Sequence, residues 1–193
     1  MRKYCYYIIC LSACFLLSTA TYGQTKKVVR ERLVLAEGWT MVADSYFYGK
    51  KGFNKDYGKA LSWYKKAAEQ DYARAQVMIG FMYYSGYGVT QNYAEAVKWF
   101  HKSADRGDPK GQCWLGLMYE SGKGVTQNST EALKWFRKSA DQGSDQGQFA
   151  LGKMYESGKG VKKDLDIAKQ WYEKAAAQGY KSAIESLNRL NSK

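Results

Sequence analysis

Chemistry in this 193-residue chain would have to come from very few side chains. His101 is the single histidine, so Ser-His-Asp triads and histidine-rich metal sites lack parts. It shares a phase with Lys65 and Arg137, which reads as a solvated helical position. Cys113 stands apart from Cys5, Cys10 and Cys14 and has the phase of Val77 and Phe149, so it suits a half-buried apolar place better than a nucleophile. Glu120 and Glu156 share a phase on successive units, with Tyr84 in the same column. Packed helices lie about 8–10 Å apart, close to the carboxylate separation of an inverting glycosidase. The Gly122-Lys-Gly and Gly158-Lys-Gly turns resemble phosphate loops in outline, but no strand precedes them and G-K-(S/T) is absent. These signals are thin. They predict a protein that is not an enzyme and that needs neither cofactor nor metal.

The elements that position these residues recur with a fixed period. Trp63, Trp99, Trp135 and Trp171 fall 36 residues apart, as do Gly80, Gly116 and Gly152. Tyr83, Tyr119 and Tyr155 follow each of those glycines, and the turns read Gly86-Tyr-Gly-Val, Gly122-Lys-Gly-Val and Gly158-Lys-Gly-Val. Such a period means stacked units that bury their apolar faces only against neighbours. Each unit reads as two helices. Ala96, Trp99, Phe100 and Ser103 lie at i, i+3, i+4 and i+7 of the second helix, and the stripe returns in the other units. Asp56, Asn92, Asn128 and Asp164 cap that helix, and Glu95 and Glu131 are placed to complete a capping box. Gly107, Gly143 and Gly179 close it, with Asp71 in that place in the first unit. Asp108-Pro109 opens the next first helix. Along such a helix Ala75, Ile79, Gly80 and Tyr83 face the core, the glycine letting two helices approach. Lys66, Lys102, Lys138 and Lys174 form a ladder near the second-helix C-termini, where a cation is favoured.

These phased residues resemble the Sel-one-like repeat (SLR) family, relatives of the tetratricopeptide repeats, with the approximate motif A-x3-L-G-x2-Y-x2-G-x-G-V-x2-D-x3-A-x2-W-(Y/F)-x-K-A-A-x2-G. Residues 75–107, 111–143 and 147–179 match it, with Gly111 and Gly147 in the opening alanine's place and Ser139-Ala140 for a later Ala-Ala. The first unit is degenerate, Asp44 standing where Gly80 recurs and Lys50 where Gly86 does. The resemblance implies an all-α, α/α superhelical solenoid of about four 36-residue helix-turn-helix repeats, at 36–71, 72–107, 108–143 and 144–179, with a C-terminal capping helix in 180–193. In that last helix Ala183, Ile184, Leu187 and Leu190 are expected to face back onto the array. For the family it implies adaptor and scaffold roles, many in bacterial envelopes or at pathogen–host contacts. Some cysteine-rich members are linked to β-lactams, but they carry paired cysteines within repeats, and this chain has none.

Ahead of the repeats, Arg2 and Lys3 precede an apolar run over 4–17 and the small or polar residues 18–23. This is the layout of a secretory signal peptide at 1–23, cleaved after Gly23 or Ala20, with lipidation of Cys14 in a Leu-Ser-Ala-Cys segment as the alternative. A charged extension, 24–35, follows and is expected to be loosely held. The predicted location is periplasmic or secreted. An exported chain with one remaining cysteine has no disulfide, so its stability must come from packing. The 30 Lys and Arg against 18 Asp and Glu, net +12, favour anionic partners, and export argues against nucleic acid.

Columns that vary between repeats are free to serve a ligand. On the first helix these read Val77-Phe81-Tyr84, Cys113-Leu117-Glu120 and Phe149-Lys153-Glu156, beside a second varying column that contains Trp114. In the tetratricopeptide fold the first helices line the concave surface, so this stripe is the candidate groove for a protein or peptide partner in the envelope or secreted. The other readings are a glycan- or β-lactam-active hydrolase using Glu120 and Glu156, and a basic tether to anionic glycan or lipid.

Overall fold

The computed structural model describes residues 27–192. The signal-peptide reading of 1–23, with Cys14, Ala20 and Gly23, lies outside the described residues. Among those residues are nine α-helices and no strand. The helices are α1 (27–48), α2 (Tyr57–Ala68), α3 (Ala73–Ser85), α4 (Tyr93–Asp105), α5 (Pro109–Ser121), α6 (Ser129–Asp141), α7 (Asp145–Ser157), α8 (Leu165–Ala177) and α9 (Lys181–Asn191). None of the described helices is long and apolar enough to cross a membrane. The odd-numbered first helices touch one another directly, α3 on α5 and α5 on α7, while α2, α4, α6 and α8 alternate along the other side. The array therefore closes on the first-helix side and opens between the second helices.

Each second helix begins as its sequence dictates. Asp56, Asn92, Asn128 and Asp164 accept from backbone N–H groups in the first turn. The reciprocal half of the capping box does not form. The N–H of Asn92 instead donates to the Tyr83 carbonyl at 2.9 Å, and that of Asn128 to Tyr119 at 2.9 Å. This bond ties the end of one helix to the start of the next, and it frees Glu95 and Glu131 to pair with Lys98 and Lys134. The helix-closing residues take the left-handed conformation, Gly107 at φ +83° and, in the degenerate unit, Asp71 at φ +62°. That unit's first helix ends one residue early, with Gly49 at φ +66° doing what Gly86 does elsewhere.

The recurrent glycines answer a packing need. A Cβ on Gly80 or Gly116 would lie 2.6 Å from the ring of Phe100 or Phe136. Where Asp44 replaces that glycine, the facing residue is Tyr64, whose hydroxyl donates to Asp44, and Arg74 pairs with the same carboxylate. The opening position is matched to its neighbour in the same way. A Cβ on Gly111 would sit 2.5 Å from Ser103 Oγ, and Gly147 meets Ser139 equally closely. Where the partner is Ala67 or Ala175, the opening residue is Ala75 or Ala183, all fully buried. Gly with Ser and Ala with Ala are two ways of filling one gap.

The two ends are less regular than the repeats between them. Residues 27–35 form the first turns of α1, every one exposed, and Ala36 is the first buried side chain. In α9, Ala183 and Leu190 are buried and Leu187 packs beside them, but Ile184 is exposed. The helix turns its Ala183–Leu190 edge to α8, which rotates Ile184 outward.

Candidate functional site

The first-helix stripe splits by depth. Val77 and Cys113 are buried, Val77 within the core and Cys113 beneath the stripe. Phe81, Tyr84, Trp114 and Phe149 are half-buried, and Leu117 and Lys153 are exposed. Two adjoining clefts open along these residues. One, of about 330 Å³, is lined by Tyr84, Trp114, Leu117, Glu120, Lys123 and Lys159. The other, of about 240 Å³, is lined by Cys113, Trp114, Leu117, Glu120, Phe149 and Lys153, with Tyr180. Trp114, Leu117 and Glu120 belong to both, so the structure brings together seven of the ten stripe residues.

Trp114 is the fixed point. Its indole stacks on Phe100 at 5.3 Å and 6°, and the rings of Phe81 and Tyr84 lie at 5.6 and 5.3 Å. Such contacts hold an aromatic wall in one rotamer and leave its outer edge for a partner. The Cys113 thiol faces the cleft from beneath; burial pushes its pKa up to about 12, the carboxylates of Asp145 and Glu120 adding to the effect. It lines the floor and is no nucleophile near neutral pH.

The carboxylate column is already engaged. Glu156 accepts from the Tyr172 hydroxyl at 2.7 Å and pairs with Arg189 at 2.7 Å. Burial and this hydrogen bond hold the Tyr172 pKa above the ordinary phenol range. Glu120 has Lys159 at 4.0 Å, and Tyr84 accepts from Lys123 at 2.8 Å. The Lys123 pKa is raised by that hydrogen bond. The Gly-Lys-Gly lysines, which read as plain repeat turns, thus reach back onto the preceding unit and form the rim of the groove. Their spacing of 39 residues from the groove column is the signal that could have shown this.

Elsewhere the residues settle into structural work. His101 is half-buried, not solvated; its ring meets Trp135 edge-on at 6.0 Å, and Nε2 lies 3.4 Å from the Tyr119 hydroxyl. Lys66, Lys102, Lys138 and Lys174 each place Nζ 4.0–4.2 Å from the centroid of the tryptophan three residues earlier. Among the described residues, no three His, Cys, Asp or Glu side chains gather as metal ligands would.

The Sel1 repeat profile matches the chain four times, at residues 40–72, 73–108, 109–144 and 145–180. Among solved structures the chain is similar to c5321, a protective antigen of uropathogenic Escherichia coli strains with an SLR fold, at 39% identity and a TM-score of 0.76, over 88% of this chain and 36% of that one. It is similar to a Sel1 repeat protein from Oxalobacter formigenes at 32% identity and a TM-score of 0.75, over 79% of this chain and 60% of that one. Helicobacter pylori cysteine-rich protein B matches at 28% identity and a TM-score of 0.54, over 69% of this chain and 96% of that one. The chain therefore spans about a third of the length of the first and three fifths of the second. No curated protein matches.

Proposed function

Because the chain belongs to the Sel1 repeat family, whose tetratricopeptide-related members are generally non-catalytic protein-interaction scaffolds, we propose that it binds a partner protein or peptide on its first-helix face. The observation that carries this reading is the pair of clefts sharing Trp114, Leu117 and Glu120. An apolar side chain of the partner enters against the aromatic wall, where tryptophan is favoured as a hot spot. Lys123, Lys153 and Lys159 on the rim select acidic flanking residues. A preformed stack of helices lowers the ordering cost of binding. The reading extends to export through a signal peptide at 1–23 into the periplasm or beyond, so the partner is an envelope or secreted protein. Nothing in the geometry supports the hydrolase reading, since Glu120 and Glu156 face Lys159 and Arg189.

Affinity capture from an envelope extract tests this, with Leu117→Asp as the comparison because that side chain is exposed and its loss spares the core. A protein retained by wild type in high salt and lost by Leu117→Asp supports the groove. Capture that salt abolishes equally in both moves the reading to a basic tether on an anionic surface. The N-terminal residue of protein recovered from cells tests export: Gln24 marks cleavage after Gly23, and a lipid-modified Cys14 marks anchoring.

A further inference from the structure

The opposite side of the molecule carries a second, unassigned cleft, and the repeats themselves show what it lacks. Gln76, Gln112 and Gln148 hold one phase at the start of α3, α5 and α7 and are all buried. In the last two cases a glutamine from the end of the following second helix covers them. Gln142 Nε2 donates to Gln112 Oε1 at 2.8 Å, and Gln178 Nε2 donates to Gln148 Oε1 at 2.9 Å. Arg106 occupies that position in the remaining unit. Its guanidinium could donate to the same oxygen, but it turns instead to Asp71 at 2.6 Å. Gln76 Oε1 is left shut off from solvent and without a partner, although its residue is only 2% exposed. Beside it the indole Nε1 of Trp99 is likewise unpartnered. Both residues line a cleft of about 810 Å³ between the C-terminal ends of α2 and α4, which Arg106 and Asp71 border.

A buried carbonyl oxygen with no donor is costly, and natural structures rarely leave one unexplained. We propose that this cleft receives the side-chain carboxamide of a glutamine in an exposed segment of a partner protein, its N–H₂ donating to Gln76 Oε1 as Gln142 and Gln178 do in their own grooves. The Arg106–Asp71 ion pair borders the site in the free protein. Both its members are substantially exposed, at 46% and 59%, and such pairs are weak, so the incoming chain displaces it readily. The site lies between second helices and is independent of the first-helix groove, which stands or falls separately.

The test is an NMR titration of the ¹⁵N-labelled protein with N-acetylglutamine N-methylamide, against N-acetylmethionine N-methylamide as a probe of similar length without the amide. Saturable shifts of the Gln76 side-chain amide and the Trp99 indole N–H, produced by the glutamine probe alone, are expected. Arg106→Gln supplies the missing amide from within, so it keeps the fold and should abolish those shifts. Equal shifts from both probes, an unchanged response in Arg106→Gln, or no response at these two residues up to the solubility of the glutamine probe would each overturn the proposal.

Discussion

Cys113 shows how burial silences a group that would be reactive in water. Its thiol has an ordinary pKa of 9.0, raised to about 12 in the fold by desolvation and then by Asp145 and Glu120. The folded state thus holds its proton over a window in which the unfolded chain loses it. The resulting stability is complete below pH 9.0 and is lost as pH rises toward 12. The loss approaches about 1.4 kcal/mol per pH unit within that window. Thermal unfolding followed from pH 8 upward should show the decline, and Cys113→Ala should flatten part of it; an unchanged slope would remove the thiol from the account. The buried tyrosine Tyr172 shifts in the same direction and accounts for part of the remainder above its normal range. At Gln76 the expectation reverses sign. Arg106→Gln satisfies an orphaned acceptor and should raise stability by about 0.5–1.5 kcal/mol, the net worth of one hydrogen bond, in denaturant unfolding. A loss of stability would mean that the exposed Arg106–Asp71 pair contributes more than the buried amide.

At the scale of the element, the matched pairs between a second helix and the next first helix make the sharpest case. Gly111→Ala alone forces a methyl against Ser103 Oγ and should cost about 1–3 kcal/mol. Ser103→Ala alone trims only an unpartnered hydroxyl and should be near neutral. Together they relieve the contact with Oγ, but the added Cβ still lies 2.7 Å from the Cβ of residue 103 and 3.0 Å from the Ala104 nitrogen, which offsets the roughly 1 kcal/mol gained by replacing a helical glycine with alanine. The double variant is therefore expected to be less destabilised than the sum of the two single changes, a coupling that a double-mutant cycle reads directly. This relation was present in the sequence as two separate departures from the family motif. Helix boundaries, caps and core columns were legible because they depend on neighbours within a turn or two and repeat. The contacts that were missed bridge different phases. Lys123 reaches Tyr84 from 39 residues away, and Arg189 reaches Glu156 from 33. His101 became half-buried because α5 and α6 place Tyr119 and Trp135 beside it, which its own helix does not reveal.

Across the whole molecule, stability is shared between neighbours, so the ends should open first. The C-terminal end is held by α9, through Ala183, Leu190 and the Arg189–Glu156 pair. Removing residues 181–193 should lower hydrogen-exchange protection in α7 and α8 well before α4 and α5, and equal loss everywhere would show a single cooperative unit. At the other end, 27–35 project as exposed helical turns that carry Val28, Val29, Leu33, Val34 and Leu35. Few contacts hold them, and they should exchange fastest of all the described helical residues.

The uniform period also bears on how such a chain changes length over generations. Excising 108–143 joins Gly107 to Ser144 and puts Gly147 against Ser103, a pairing the fold already uses. Lys159 then arrives at Tyr84, where Lys123 had been. Excising 72–107 instead sets Gly111 against Ala67, leaving a gap where the native chain has Ala75. Recombination between the coding segments of the inner repeats can therefore shorten or extend the array while keeping the matched Gly–Ser pairing, with Ala150 taking the place of Trp114 against Phe100. The same event at the junction with the degenerate first repeat leaves a void. Length is heritable variation that the middle of this molecule tolerates and its first unit resists.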